Sequence, residues 1–161
     1  MFNLKAEFYL KIIFLFSFIA LISAFFIEYI LGHQPCNLCL IERIPYGLSI
    51  MIIIAIFLIR KNQKFLVMLL ILTFIFSFAI SFYHFGIEQG FFQESSVCGV
   101  KSLTESMTKE DLLRELSEKT ISCKDVTFRI FGLSLTSINI VISLLFIITL
   151  LKIFKKYEKN E

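Results

Sequence analysis

The chain has 161 residues, of which 57% are hydrophobic (20 Phe among them) and only 18% charged, with a formal net charge of +3. That length holds one domain, and a soluble domain of this size would carry fewer apolar and more charged side chains. The modest positive balance sits at the tails and in one short link, which points to orientation in a membrane and says nothing about nucleic acid, none of which is expected as a partner.

The apolar residues gather in four blocks free of charge, at residues 12–27, 44–59, 65–83 and 130–151. A spanning helix needs about 20 mostly apolar residues, and the first two blocks reach that length with their flanks. None of the segments shows the polar stripe of a soluble bundle helix. The expectation is an all-α membrane protein: a four-transmembrane-helix bundle, with helices at about 9–31, 42–59, 65–86 and 128–151, in one domain spanning residues 1–161. The first helix has Lys5 and Lys11 before it, but its apolar stretch is long for a signal peptide and Ile22-Ser23-Ala24 is a poor cleavage site, so it reads as a retained span.

Between the first two helices, at about 32–41, lies Pro35-Cys36-Asn37-Leu38-Cys39, followed by Glu42 and Arg43. A C-x-x-C at a helix start is a redox or a metal motif. Structural zinc calls for a second closely spaced pair or histidines at ligand spacing. The other two cysteines are far apart in sequence, and His33 and His84 lie in different segments, so no metal is expected. A purely structural disulfide would close a very small loop, which limits its value to folding. The redox reading rests on thiolate chemistry: a helix N-terminus and a nearby cation lower a thiol pKa. In a continuous helix Cys39 and Arg43 are i and i+4, on one face. Pro45 prefers a first helical turn, so the helix either begins near Glu42 or is kinked at Pro45. Arg43 is at once an interfacial anchor and a candidate to stabilise a thiolate or a reduced acceptor.

Arg60, Lys61 and Lys64 fill the link to the third helix, and Lys152, Lys155, Lys156 and Lys159 follow the fourth. In the second long connection, about 87–127, acidic residues outnumber basic ones. Basic residues stay cytoplasmic, which puts both termini inside and both cysteine-bearing loops outside, in the periplasm if the membrane is a bacterial inner membrane. His84, at the outer end of the third helix, reads either as an interfacial residue or as a lining residue of an acceptor site. Thr108 and Asp111 resemble a capping box opening a short amphipathic surface helix in the second periplasmic loop, with Leu112, Leu113 and Leu116 on its apolar side. Cys98 and Cys123 flank it. All four cysteines thus fall in or beside the outward loops, where disulfides persist. Two such pairs allow a disulfide to pass from one to the other by thiolate attack. No nucleotide fingerprint, haem site or cluster spacing appears, so a lipid-soluble quinone is the electron sink that suits the location. Only Glu28 comes close to being an intramembrane carboxylate, which argues against a transport path.

With these residues placed, the chain resembles the DsbB family of bacterial inner-membrane, quinone-dependent disulfide oxidoreductases. The resemblance rests on "PCNLCLIER" against the family's P-C-x-x-C-x-x-x-R run, on the loop pair Cys98 and Cys123, and on "FGLSL" opening the fourth helix. It implies that a reduced DsbA-type periplasmic thioredoxin-fold partner attacks a Cys98–Cys123 disulfide at Cys98. The freed Cys123 then attacks Cys36 and releases Cys39, which passes electrons to the membrane quinone pool, ubiquinone or menaquinone. It further implies that Arg43 and His84 lie beside the quinone. Several family members carry tryptophans near the second loop, whereas this chain has none; Thr127, Phe128 and Ser137 occupy that neighbourhood. The vitamin K epoxide reductase family, also quinone-linked, places its loop cysteines before the C-x-x-C, the reverse of the order here. A non-enzymatic four-helix membrane protein with static disulfides is the reading from another class.

Overall fold

In the computed structural model, residues 4–59, 62–94, 98, 122–124, 129–130 and 132–159 are described. Among the described residues there are four helices: α1 (Leu4–Tyr29), α2 (Asn37–Leu58), α3 (Gln63–Glu88) and α4 (Leu135–Lys159). All four contain stretches long and apolar enough to cross a membrane. At about 1.5 Å rise per residue, helices of 22 to 26 residues match a hydrocarbon core of roughly 30 Å. The packing is α1 on α2, α2 on α3 and, most extensively, α3 on α4, while α1 barely touches α4. Most of each span faces outward with large apolar side chains such as Leu15, Phe18, Met51, Phe76 and Leu145. This is the surface of a protein solvated by lipid tails.

The helices do carry a polar stripe, contrary to expectation, but it faces inward. Ser77, Ser81, His84 and Glu88 recur at helical spacing along α3, and Thr136, Asn139 and Ser143 along α4. Their hydrogen bonds join the helices: Ser143 Oγ to Ser77 Oγ at 3.1 Å, Asn139 Nδ2 to Ser81 Oγ at 2.7 Å, and Ser49 Oγ of α2 to Ser17 Oγ of α1 at 2.9 Å. Lipid tails are as apolar as leucine, so small residues and polar pairs of this kind hold spanning helices together. Toward the other end the interior is apolar, with Leu10, Ile13, Ile53, Ile56, Leu70 and Phe74 fully buried. Phe146 sets its ring edge-to-face on Phe74 and on Phe16.

Helix boundaries depart from the sequence reading at two functional points. The second helix begins at Asn37, not near Glu42, because Cys36 is its N-cap: extended at φ −72°, ψ 167°, it accepts from the Cys39 N–H at 3.3 Å. Pro45 then lies inside the helix, buried against its neighbours. A spanning helix tolerates it because adjacent helices and side chains make good the freed backbone groups. The fourth helix begins at Leu135, not near 128. The stretch before it is a small antiparallel hairpin of β1 (Arg129–Ile130) and β2 (Leu133–Ser134), with Gly132 at φ +83° in its turn. Ser134 Oγ accepts from the Ser137 N–H at 3.2 Å and caps the helix. The first helix ends at Tyr29 and the third runs from Gln63 to Glu88. The amphipathic surface helix expected around residues 108–116 lies outside the described residues.

After α3 the chain doubles back through Gly90, at φ +77°, and the Phe91 and Phe92 N–H groups return to the Gly86 carbonyl at 2.8 and 3.1 Å. Phe92 lies against the bare Cα of Gly86 and stacks on Tyr83, ring centroids 5.7 Å apart. Glu94 follows, and its Oε1 accepts from the Lys124 N–H at 2.9 Å and from the Ser122 hydroxyl. The two sides of the second loop are thus tied together next to Cys123.

Candidate redox site

One end of the bundle gathers the chemistry. Cys36 caps α2, Cys39 lies in its first turn, and His84 and Glu88 end α3. Cys98 and Cys123 form a disulfide with Cα atoms 5.6 Å apart. Cys36, Leu38, Ile87, Cys98 and Cys123 make one buried cluster, with Cys39, Ile41, Ile80 and Tyr83 packed around it. The two cysteine pairs, remote in sequence, share this core. Cys36 and Cys39 are a dithiol, their sulfurs 2.8 Å apart.

His84 is not an interfacial side chain. It is buried, with Nε2 3.6 Å from Cys36 Sγ and Nδ1 2.9 Å from Glu42 Oε1. Thr136 Oγ1 sits 3.4 Å from Nδ1 and donates to Glu88 Oε1 at 2.6 Å. Glu42 in turn accepts from Asn139 Nδ2 at 3.2 Å, and Asn139 Oδ1 accepts from the Tyr46 hydroxyl. Glu88 Oε2 is buried without a hydrogen-bond partner. The arrangement orders the imidazole: with a carboxylate on Nδ1, that nitrogen is the donor and Nε2 turns its lone pair toward the thiols.

The electrostatics favour a thiolate at Cys36. Its contact with the Cys39 thiol, then the His84 ring, lowers the Cys36 pKa from the ordinary 9.0 to about 4 in spite of burial. The position adds to this, since an N-cap sulfur faces the positive end of the α2 dipole. Arg43 reaches toward α1. Its guanidinium pairs with Glu28 of α1 and lies over the Phe25 ring, 5.3 Å from the centroid. Glu28 is therefore an ion-pair partner fixing the α1–α2 contact. Glu42 and Glu88 are the buried carboxylates that the sequence reading passed over, together with Thr136 and Asn139. Their signal was the spacing: Glu42 is three residues after Cys39 and Glu88 four after His84, each one turn along the same helix face.

A multi-pass helical membrane protein with a dithiol and a disulfide in one buried cluster belongs to the class of thiol–disulfide exchange proteins. The family comparison agrees: residues 6–153 match the family of "Disulfide bond formation protein DsbB", and the chain belongs to that family. It is also similar to "Uncharacterized protein RP370" of Rickettsia prowazekii (strain Madrid E), 31% identical over 136 residues, covering 83% of this chain and 79% of the relative.

Proposed function

We propose that the protein is a quinone-dependent thiol:disulfide oxidoreductase of a bacterial inner membrane, reoxidising a DsbA-type periplasmic partner. The observation that carries this reading is the shared burial of Cys36 with Cys98 and Cys123. Thiol–disulfide exchange needs an attacking sulfur to reach the disulfide it attacks, and this packing supports exchange between the pairs through Cys36.

The partner's dithiol attacks the Cys98–Cys123 disulfide at Cys98; the partner becomes oxidised and Cys123 is freed. Cys123 then attacks Cys36 of an oxidised C-x-x-C pair and Cys39 leaves. Cys98, released when the partner's second thiol resolves its mixed disulfide, attacks Cys123 and displaces Cys36, so two electrons move inward and the loop disulfide re-forms. Re-forming the Cys36–Cys39 disulfide gives up two electrons and two protons. A bound quinone would supply the acceptor for both. The residues present fit such a group: Arg43 spends one Nη on Glu28 and keeps further N–H donors, Phe25 offers an apolar wall, and His84 stands on the cysteine pair. Arg43 and His84 are the residues that would hold it. His84 also receives the proton of the Cys36 thiol, with Glu42 behind it to stabilise the imidazolium. The lysines at the far end support an orientation with both termini in the cytoplasm and the cysteine loops in the periplasm.

The test is quinone reduction by the purified protein supplied with a reduced DsbA-type protein, comparing wild type with Cys39→Ser and Cys98→Ser. Turnover by wild type and none by either variant supports the relay. An inert wild type across several partners and quinones leaves static disulfides as the better account.

A further inference from the structure

We propose that the reduced Cys36–Cys39 pair, with His84 and Glu88, is a binding site for a thiophilic divalent cation of the Zn2+ type. The sequence argument against a metal was that the other two cysteines are far apart and the histidines lie in different segments, and the fold answers it by bringing His84 to the C-x-x-C. Cys36 Sγ, Cys39 Sγ and a ring nitrogen of His84 lie within 4.8 Å of one another. Two thiolates and an imidazole are three of the four ligands of a common zinc set.

Two further observations point to a ligand. Glu42 holds His84 Nδ1 at 2.9 Å, the carboxylate–histidine arrangement that orients a metal-ligating imidazole and raises its basicity. Glu88 stands beside His84 but outside the 4.8 Å group, and would complete the set by turning toward the sulfurs: its side chain is 5% exposed, its Oε1 is 3.9 Å from His84 Nε2, and its Oε2 has no hydrogen-bond partner. A buried, unpaired carboxylate oxygen is costly, and a cation there would satisfy it. The distances suit the ion. Tetrahedral Zn2+ with bonds of about 2.3 Å to sulfur and 2.0–2.1 Å to nitrogen sets sulfur and nitrogen roughly 3.5 Å apart, and Cys36 Sγ to His84 Nε2 is 3.6 Å. The two sulfurs, at 2.8 Å, would part by roughly 1 Å to fit the same bond lengths.

Binding releases the Cys39 thiol proton and the proton that Cys36 shares with His84, and changes no oxidation state. An oxidised pair has no thiolate to offer, so the site exists only in the reduced protein. A cation holding both sulfurs blocks re-formation of their disulfide. Competition between metal and electron acceptor follows, and that consequence alone rests on the quinone reading.

The experiment uses full-length protein carrying Cys98→Ser and Cys123→Ser in detergent, with Co2+ as probe and neither quinone nor partner present. The reduced protein is expected to take up one Co2+ per chain, with tetrahedral d–d bands and thiolate-to-metal charge transfer, and to lose both on adding Zn2+. The same protein oxidised to the Cys36–Cys39 disulfide is expected to show none; this comparison requires no change at the site. His84→Ala should weaken binding at least about 10-fold, and Glu88→Gln by about 10- to 100-fold with altered d–d bands. Equal uptake by oxidised and reduced protein, or unchanged affinity in His84→Ala, overturns the site. An unchanged spectrum in Glu88→Gln overturns the four-ligand assignment. Failure of quinone turnover would leave these readings untouched.

Discussion

Cys36 and Cys39 are chemically the same residue three positions apart, and the fold makes them different. Cys36 caps the helix, touches His84 and shares its burial with the loop disulfide, whereas Cys39 is one turn further in and only partly buried. The thiolate is the reactive form, so alkylation of Cys36 in the reduced protein should rise with pH through about 4 and level off well below the ordinary thiol value of 9.0. Peptide mapping of a small alkylating reagent over a pH series reads this, and His84→Phe should move the midpoint upward. The sign for stability follows by linkage. Between about 4 and 9.0 the unfolded thiol holds a proton that the folded one has lost, so Cys36 by itself favours the reduced fold as pH rises through that window and ceases to as pH falls toward 4. The gain appears only where that proton leaves the protein and does not stay on His84. Glu42 carries a separate load, since it pairs both His84 and Asn139. Glu42→Ala takes the 2.9 Å acceptor from buried His84 Nδ1 and one of the two acceptors from Asn139 Nδ2, and should cost about 1–3 kcal/mol in detergent unfolding. The four cysteines were legible in the sequence through their segregation to the loops. The contacts of His84 with Cys36, Glu42 and Thr136 were not, because these residues belong to other elements and lie 42 to 52 residues away.

At the scale of elements, the sequence showed four spans and misplaced two of their starts. Pro45 drew the expected start of α2 toward Glu42, since proline's usual place is a first turn. The sulfur that caps the helix sits nine residues earlier and is not among the usual cap residues. The start of α4 was hidden by a hairpin too short to show alternation, and Ser134 is the cap that marks it. Ser134→Ala should cost about 1 kcal/mol in thermal or denaturant unfolding. Gly86 tests how the second loop is anchored. A Cβ there would overlap the Phe92 ring, which must move off Tyr83 and carry the chain toward Glu94 with it. Gly86→Ala should cost roughly 1–3 kcal/mol through overpacking. It should also speed reduction of the Cys98–Cys123 disulfide by dithiothreitol, measured by thiol release. Gly90→Ala strains a positive-φ position with open space around it, so it should lower stability with less effect on that rate.

The whole molecule divides across its length. Hydrogen-bonded polar side chains run inward from the cysteine end through His84, Glu42, Asn139, Ser143 and Ser77, and beyond them the interior closes on Ile53, Leu70 and Phe74. This division was only half legible: the lysine clusters and cysteine loops mark the two ends in the sequence, but the inward stripe was read as absent because its members are small and spaced by turns. The division bears on orientation. Four candidate spans among the described residues leave the start of α1 and the end of α4, with Lys152, Lys155 and Lys156, at the end of the bundle opposite the cysteines. The lysine end should therefore remain in the cytoplasm and the redox pairs should face the other compartment. In intact cells, a membrane-impermeant maleimide should label Cys98 in a variant retaining only that cysteine. A Lys156→Cys variant lacking the four native cysteines should be labelled only after the membrane is opened. Labelling in the reverse order would put the dithiol on the reducing side, where a disulfide relay could not persist.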